Sequence, residues 1–335
     1  MIKIFANQLD AKLEQDGAWC YFLTIGNDPY LRDVTQNKII KKMHQQGFTE
    51  QTVFSIDNQT NWDSIYENSR AMSLFSSQTL LILQFGDNLL NASIAKKLDE
   101  LCQTLSPDVS LLVTLSQMTK AQENASWLKT LSDQLLIINC NTPDANQLPI
   151  WLNQQLQLFD LTIEKQGIEL LCYYYEGNLL ALTQTLEQLK LLYPKGKISF
   201  SQLENNLDDC AIFTPYHLID AMLMTKTKRV IHILQQFKMN GTEPLILVRT
   251  IQRELIQLIN LKKYSAKHDL KSAYDINKVW QNRRNVITPY LNRTSLEQLY
   301  LILKQLTELE IALKSDYQAA IWELLTALCL KIVGD

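Results

Sequence analysis

Hydrophobic and polar positions follow two different patterns along the chain, and the change comes near residue 141. Before it, short apolar runs typical of buried strands alternate with stretches that have the spacing of amphipathic helices. The predicted strands are 19–26, 51–57, 79–85, 110–116 and 134–140, and the predicted helices between them are 29–46, 61–72, 91–105 and 120–133. This alternation predicts an α/β domain, residues 1–141, built on a parallel sheet with helices packed on its faces.

After residue 141 the strand pattern nearly disappears and helical spacing predominates. A small helical domain is predicted over residues 142–211, with helices at 141–156, 163–178, 179–193 and 199–207. The first of these helices has Thr142 as a cap candidate, followed by Pro143, which suits a first helical turn. A length of about 70 residues is within the range of a compact domain.

A second helical domain is predicted over residues 212–335. Its predicted helices are 213–223, which starts at Thr214-Pro215, then 242–264, 295–316 and 318–333. The helix at 242–264 is long and amphipathic, with one apolar stripe formed by Leu245, Val248, Leu255 and Ile259. Helices with such stripes can pack as a bundle or present a face to other subunits.

The composition fits a helix-rich globular protein whose C-terminal part is basic. A chain of 335 residues is too long for one ordinary core, and its 9 glycines and 8 prolines are few enough to favour helix. The net charge of −3 hides an asymmetry, because residues 212–335 carry 17 Lys and Arg against 11 Asp and Glu, which leaves +6 there and −9 elsewhere. A basic surface attracts the phosphate backbone of nucleic acids, although solvated helix faces also produce an excess of this size.

Secreted, membrane-spanning and metal-binding proteins have sequence features that this chain lacks. Residues 1–17 contain no apolar segment with a cleavage site, so no signal peptide is expected, and no apolar run reaches the ~18 residues of a membrane span. The six cysteines are scattered without a CxxC pair, which favours free thiols in a reducing cytoplasm. The four histidines form no HExxH pair, so no metal site is expected.

The order of an α/β domain, a small helical domain and a further helical domain suggests an ATPase architecture, but the phosphate-binding residues are missing. The first strand-to-helix turn, IGNDPYLRDV (25–34), has one glycine, Gly26, no lysine, and a proline, Pro29, that removes an amide donor. Gln84 and Phe85 occupy the place where an acidic pair would hold Mg²⁺. We therefore expect no catalytic residue, no cofactor and no metal.

The stretch AMSLFSSQT (71–79) places Leu74 and Phe75 side by side between serines. Adjacent positions point about 100° apart in a helix and to opposite faces in a strand, so neither element buries the pair easily. The serines and the threonine favour a turn or a helix end. The residues alone leave two interpretations open: packing beneath their own strand, or an apolar contact with another molecule.

Taken together, these features resemble the delta-subunit family of the bacterial DNA polymerase III clamp loader, and the likeness runs from end to end. The stretches that carry it are LTIGNDPYL (23–31), FSIDNQTNWDSI (54–65), AMSLFSSQTLLIL (71–83), KAQENASW (120–127), LCYYYEGNLLAL (171–182), HILQQF (232–237), RTIQREL (249–255), VWQNRR (279–284) and LKSDY (313–317). The resemblance implies an AAA+-like α/β domain, a helical lid domain and a C-terminal collar domain in a five-membered ring. In active relatives an arginine follows the glycine of the lid motif, whereas Leu180 stands there in GNLLAL (177–182).

By this resemblance the chain is a non-catalytic subunit that binds and opens the sliding clamp for loading onto primed DNA. The residues that match the family's clamp-binding tip are Met72, Leu74 and Phe75. The implied partners are the beta sliding clamp, the gamma/tau and delta prime subunits, and primer–template DNA, with no membrane. The implied location is the bacterial cytoplasm, at the nucleoid-associated replisome. ATP would be hydrolysed by sister subunits, and the chain would belong to the DNA polymerase III holoenzyme without a catalytic site of its own.

A second group of candidate residues lies in the basic C-terminal domain. In VWQNRRN (279–285) Trp280 comes just before Arg283 and Arg284, and Tyr317 follows LKSD. Aromatic faces stack on unpaired bases, and arginines pair with phosphate. The resemblance implies that aromatic residues at these places meet the primer–template junction, while core packing between helices is the alternative role for both aromatic side chains.

Two other functions also fit the sequence at this point. One is an ATP-driven remodeller with an unusual nucleotide site, against which the glycine-poor turn after Gly26 argues. The other is a plain helical scaffold subunit of a replication complex, without contact to a clamp. Substitution of Leu74 and Phe75 separates clamp opening from the scaffold.

Overall fold

The computed structural model describes residues 2–14, 19–70, 78–85, 90–204, 206–266, 268–315 and 320–334. The chain folds as two compact units, Met1–Cys210 and Ala211–Asp335. The first is α/β and the second is helical throughout the residues described, which confirms the predicted fold class. A further division of the first unit into domains 1–141 and 142–211 stays a prediction.

The first unit is built on a six-stranded sheet in which every neighbouring pair is parallel, in the order β1-β6-β2-β5-β4-β3. Its strands are β1 (Ile2–Phe5), β2 (Tyr21–Ile25), β3 (Glu50–Ser55), β4 (Thr79–Gln84), β5 (Val109–Leu115) and β6 (Leu135–Asn139). The five predicted strands are confirmed, with ends within two residues of those expected. The edge strand β1 was not predicted, because four largely exposed residues give no pattern of burial.

Helices cover both faces of this sheet. Those that lie between the strands are α1 (Leu9–Glu14), α2 (Pro29–Gln45), α3 (Trp62–Arg70), α4 (Ala92–Gln103) and α5 (Ser126–Thr130). After β6 come α6 (Leu148–Leu158), α7 (Lys165–Tyr175), α8 (Leu179–Leu192) and α9 (Phe200–Glu204), with a small parallel ladder of β7 (Thr162–Ile163) and β8 (Lys197–Ile198). The helix predicted over 120–133 is shorter than expected, since only α5 within it is α-helical.

The four inner strands of the sheet, β6, β2, β5 and β4, are buried on both faces, and each face has its own apolar cluster. Because successive strand residues point to opposite sides, Phe22 joins the cluster that contains Met43 of α2, and Leu23 joins the cluster that contains Leu98 of α4. The cluster on the α2 side continues into α6, α7 and α8, for example through Leu182. The helices that follow the sheet therefore share a core with it.

The helix predicted over 141–156 begins later than expected, and its predicted cap is wrong. The helix α6 starts at Leu148 with Pro149 in its first turn, so Thr142 and Pro143 lie before it. The Asp144 carboxylate instead accepts backbone bonds from Asn146 and Gln147, both at 2.9 Å, in a local turn. This turn, and not Thr142, leads into the helix.

The second unit is a bundle with one continuous apolar core. Its helices are α10 (Pro215–Leu223), α11 (Thr227–Met239), α12 (Pro244–Ser265), α13 (Leu270–Ile276), α14 (Gln281–Arg293), α15 (Leu296–Ser315) and α16 (Ile321–Val333). The helices α10, α12, α15 and α16 were predicted, and the stripe on α12 buries Val248, Leu255 and Ile259, with Leu245 half-buried. The helices α11, α13 and α14 were not predicted; α14 is polar and contains Pro289, which weakens its sequence signal.

Candidate functional site

The turn between β2 and α2 occupies the place where an open parallel sheet usually binds a ligand. Such sheets bind ligands beyond the carboxyl ends of their strands, where the strand order reverses. Here β2 lies between β5 and β6, although neither is its neighbour in sequence. In a nucleotide-binding protein, the amides at the start of the following helix would contact phosphate.

In this chain the turn is bonded instead to the residues that follow β6. The Asp28 amide donates to the Cys140 carbonyl at 3.1 Å, and the Thr142 amide donates to Asn27 Oδ1 at 3.0 Å. The two backbones approach so closely that a Cβ on Gly26 would lie 2.1 Å from the Cys140 carbonyl carbon. Gly26 is therefore required by this close approach, because the two backbones leave no space for a side chain between them.

The amino end of α2 already holds a negative charge of its own. Asp28 is the helix cap, and its Oδ1 accepts from the Leu31 amide at 2.9 Å while its Oδ2 accepts from the Thr142 hydroxyl at 3.0 Å. Burial raises the pKa of the Asp28 carboxyl, although the bonds from Leu31 and Thr142 oppose this rise. A phosphate approaching α2 would meet this carboxylate and find the Leu31 amide occupied.

The end of β4 and the start of α8 also differ from an active nucleotide site. Gln84 donates through Nε2 to Gln36 Oε1 at 3.2 Å, and Phe85 is fully buried. Leu180, where the resemblance implies an arginine in active relatives, is exposed in the first turn of α8. These residues provide neither a carboxylate for Mg²⁺ nor a cation for phosphate.

A cleft of about 790 Å³ opens at the same carboxyl edge of the sheet. Its walls include Phe5, Ile25 and the side chains of Asn139 and Asn141. Lys3, which also lines it, forms an ion pair with Glu123 at 3.1 Å between Nζ and Oε2. The cleft thus offers amides and apolar surface, and its lysine is already neutralised by a carboxylate.

Met72, Leu74 and Phe75, the predicted clamp-binding residues, lie outside the described residues. The elements on either side are well anchored: α3 ends at Arg70, and β4 begins at Thr79. Ser69, fully buried near the end of α3, accepts through its carbonyl from the Ser106 amide at 3.3 Å. Because all neighbouring strands are parallel, Thr79, the first residue of β4, lies at the amino edge of the sheet, opposite the β2–α2 turn.

Trp280, one of the predicted DNA-contacting residues, lies on the surface of the second unit. It precedes α14 as its cap residue, and 67% of its surface is exposed. It lies at a groove of about 660 Å³ that is also lined by Tyr216 and Ile256, both exposed. Exposure rules out the alternative of core packing for Trp280 within this unit. Tyr317 lies outside the described residues.

Arg283 is held by two carboxylates of the same unit. Its guanidinium lies 3.2 Å from Glu254 Oε2 on α12 and 3.1 Å from Asp220 Oδ1 on α10. A second bond to Glu254, from Nη2 to Oε1 at 3.3 Å, makes that pair bidentate. Burial raises the pKa of the Glu254 carboxyl, and the charge and hydrogen bonds of Arg283 oppose the rise.

Arg284 is held on the other side of the helix start. Its Nη2 donates to Asp275 Oδ1 at 2.7 Å and its Nε donates to the Val279 carbonyl at 3.1 Å. Its guanidinium carbon also lies 5.3 Å from the ring centre of Tyr274. The pairing of Arg283 and Arg284 with phosphate stays a prediction, and both guanidinium groups have carboxylate partners in this structure.

Sequence reasoning missed the ion-pair network beneath Trp280, although one signal was present. Glu254 lies between Ile251 and Leu258 at the spacing of the buried stripe of α12, and it is itself buried. A glutamate on an apolar stripe is seldom buried without a cationic partner. That the partner is Arg283, 29 residues away, required the fold.

Among the described residues, no cluster of three or more His, Cys, Asp or Glu side chains is arranged to hold a metal ion. In the same part of the chain, no helix combines the length and apolar character that crossing a bilayer requires.

Two family models match the chain. The model described as DNA polymerase III, delta subunit, matches residues 21–141, and the model described as processivity clamp loader gamma complex DNA pol III C-term matches residues 215–335. The DNA polymerase III subunit delta of Escherichia coli (strain K12) is 42% identical over 330 residues, which is 98% of this chain and 96% of that protein. The corresponding Haemophilus influenzae protein is 34% identical over 344 residues, 99% of each chain.

A solved structure is also similar over the whole length. The DNA clamp loader delta protein of Bacillus subtilis matches with a TM-score of 0.54 at 15% sequence identity, covering 99% of this chain and 100% of that one. At this identity the match shows a shared fold.

Proposed function

Because the chain belongs to the family of DNA polymerase III delta subunits, we propose that it is the clamp-loader subunit that binds and opens a sliding clamp for loading onto primed DNA. The observation that carries this proposal is the Asp28-capped turn between β2 and α2. It gives the chain a nucleotide-binding architecture whose phosphate position is taken up by the protein itself. A subunit of this kind acts through binding, and other subunits supply ATP hydrolysis.

The clamp contact in this proposal is made by Leu74 and Phe75, with Met72 beside them. Burying two such side chains stabilises a complex by roughly 3–6 kcal/mol before the cost of association. A micromolar complex requires about 8 kcal/mol net, so the pair acts as a hot spot within a larger interface. Because α3 ends at Arg70 and β4 begins at Thr79, the segment is joined at both ends to elements of the first unit.

Opening of the clamp follows from a difference in affinity. A ligand shifts an equilibrium between two states only by the difference between its affinities for them. If this subunit binds the open clamp interface better than the closed one, it stabilises opening by that difference and needs no catalytic residue. The remaining subunits, gamma/tau and delta prime, then control through ATP when the clamp-binding segment is available.

DNA contact in this proposal is assigned to the second unit. Trp280 is exposed and lies in a unit of net charge +6, which suits stacking on an unpaired base near a phosphate backbone. Tyr317 is proposed as a second stacking residue. The proposed place of action is the replisome in the bacterial cytoplasm.

The clamp contact is tested by capture of the sliding clamp on the immobilised chain. The Leu74→Ala/Phe75→Ala variant is expected to lose capture. The matched control is Leu191→Ala/Leu192→Ala, a pair of adjacent apolar residues that are exposed at the end of α8. Equal capture by both variants would favour the scaffold interpretation.

Nucleotide binding provides a separate test. The isolated full-length chain is expected to show no saturable binding of ATP in equilibrium dialysis with Mg²⁺ present. Binding with a micromolar dissociation constant would favour the ATP-driven remodeller.

A further inference from the structure

Two arginines in the first turn of α14, Arg283 and Arg284, bond to residues of other elements. Trp280 directly precedes this turn. On one side Arg283 reaches Glu254 and Asp220, which belong to α12 and α10. On the other side Arg284 reaches Asp275 and the carbonyl of Val279, the residue next to Trp280. The Arg283 amide also donates to the Trp280 carbonyl at 3.1 Å.

The surroundings of Arg283 conflict with a role as a phosphate ligand. The Glu254 side chain is only 9% exposed, and Arg283 is 26% exposed. If Arg283 turned toward a phosphate, it would leave the Glu254 carboxylate buried without its bidentate partner, which is strongly unfavourable. The partial burial of both groups therefore favours a fixed ion pair over a mobile cation.

Arg284 is 25% exposed and its partner Asp275 is 58% exposed, so what fixes Arg284 is its set of contacts and not the burial of a carboxylate. One of its bonds, to the Val279 carbonyl, fixes the backbone just before Trp280, and the other fixes α13 through Asp275. Its guanidinium lies over the Tyr274 ring, whose hydroxyl in turn lies 2.8 Å from Thr288 Oγ1 on α14. These contacts join the end of α13 to the start of α14.

We propose that Arg283 and Arg284 are positioning residues that fix Trp280 for stacking on DNA, and that neither acts as a phosphate ligand. This inference rests on the proposed function only for the role of Trp280. The fixing of Trp280 by the two arginines is a property of the free chain. The two parts can be measured separately.

The first measurement follows Trp280 in the free full-length chain. The chain is labelled with 5-fluorotryptophan, and the ¹⁹F resonance of Trp280 is assigned by its loss in Trp280→Phe. Arg283→Met and Arg284→Met are each expected to shift or broaden this resonance. The control is Arg293→Met, in the last turn of the same helix, whose Nη2 donates to the Val333 carbonyl at 3.3 Å and whose loss is expected to leave Trp280 unchanged.

A second variant guards against simple misfolding. Arg283→Met leaves the buried Glu254 carboxyl without its cationic partner, so Glu254→Gln/Arg283→Met removes both ionisable groups and is expected to fold while still releasing Trp280. Arg283→Lys keeps the charge without the bidentate geometry and is expected to restore the resonance only in part. An unchanged Trp280 resonance in the folded Arg283 and Arg284 variants would overturn the proposal.

The second measurement is the affinity of the reassembled clamp loader for a fluorescent primer–template duplex with a single-stranded template, over a range of salt. Loss of a phosphate ligand would lower the slope of log K against log salt by about 0.7–0.9. Loss of a positioning residue leaves the slope unchanged and lowers affinity by at most the effect of Trp280→Ala, roughly 5- to 150-fold. The Trp280→Ala/Arg283→Met variant is then expected to bind no more weakly than Trp280→Ala.

The outcomes separate the inference from the proposed function. A lowered salt slope, or additive losses in the double variant, would make Arg283 a phosphate ligand and overturn the inference. If Trp280→Ala has normal affinity for DNA while the Arg283 variants still shift the Trp280 resonance, the arginines hold Trp280 as proposed and the DNA role of Trp280 fails.

Discussion

The Thr142 hydroxyl donates to the Asp28 carboxylate at 3.0 Å, across the two loops that would face each other around a bound phosphate. Asp28 starts α2, and Thr142 follows β6, which lies beside β2 in the sheet. The bond therefore joins the helix start to the neighbouring strand at the position where an ATPase would need an open space. The Asp28 carboxylate occupies the place of a ligand, and its bond to Thr142 joins the two loops; we call this contact the joint.

The coupling between these two residues can be measured directly. Asp28→Ala removes a helix cap and is expected to lower the free energy of unfolding by about 1–2 kcal/mol. Thr142→Val removes one hydrogen bond and is expected to lower it by about 0.5–1.5 kcal/mol. Because the two residues share that bond, the double variant is expected to lose roughly 0.5–1.5 kcal/mol less than the sum. Denaturant unfolding of the full chain gives the free energies of unfolding of the wild type, the two single variants and the double variant. Strict additivity would show that the Asp28–Thr142 bond does not couple the two loops.

Gly26 provides a steric test of the same joint. A methyl group at this position would overlap the Cys140 backbone, so Gly26→Ala is expected to destabilise the chain by about 3 kcal/mol or more. Gly241, with a φ of +66° and open space within 4 Å of the position that a Cβ would take, is the matched control. Gly241→Ala is expected to cost only about 1 kcal/mol of backbone strain. Similar losses in the two variants would show that the loops near Gly26 are not closely packed.

The buried ion pair beneath Trp280 predicts a particular dependence of stability on pH. Burial raises the pKa of Glu254 in the folded chain, so the folded state binds more protons at this group than the unfolded state between the two pKa values. In that window, just above the ordinary glutamate pKa, the contribution of Glu254 to stability falls as pH rises. The free energy of unfolding of the wild type, relative to Glu254→Gln, is therefore expected to decrease with rising pH there. A relative increase would show that Arg283 outweighs burial.

The sequence predicted the sheet and the larger helices because their signals are local. The strands β2, β4, β5 and β6 carry buried apolar runs, and α12 carries a regular stripe, so pattern alone located them. Strand β1 was not predicted because it is short and exposed, and α14 was not predicted because it is polar and contains Pro289. Neither β1 nor α14 has a recognisable spacing of hydrophobic residues.

The partners of charged residues could not be predicted, because they come from distant parts of the chain. Arg283 and Arg284 beside Trp280 suggested a phosphate-binding pair, since a sequence shows charges without their counter-ions. The fold brings Asp220 and Glu254 to Arg283 from 63 and 29 residues away. The same limit applies to the joint between Asp28 and Thr142, where a residue expected to cap a helix bonds to another loop.

One substitution can test whether the first unit binds the clamp and the second unit binds DNA. Trp280→Ala removes an exposed aromatic face and is expected to weaken binding of primed DNA by about 1–3 kcal/mol in the assembled clamp loader, with clamp binding preserved. Fluorescence anisotropy of labelled primer–template DNA measures the first effect, and capture of the clamp measures the second. A variant that lost both activities together would indicate general damage to the second unit, and one that kept both would remove Trp280 from the DNA contact.

We propose that this chain opens a clamp because it binds the open ring more tightly than the closed one. The most direct test of this proposal compares the dissociation constant of the full chain for the intact ring-shaped clamp with that for a clamp variant whose own subunit interface has been broken. If binding to the intact ring must also open it, the chain binds the interface-broken clamp more tightly, by a factor set by the free energy of opening. Equal affinity for the two forms would contradict the account, because a ligand that does not distinguish the states cannot shift the balance between them.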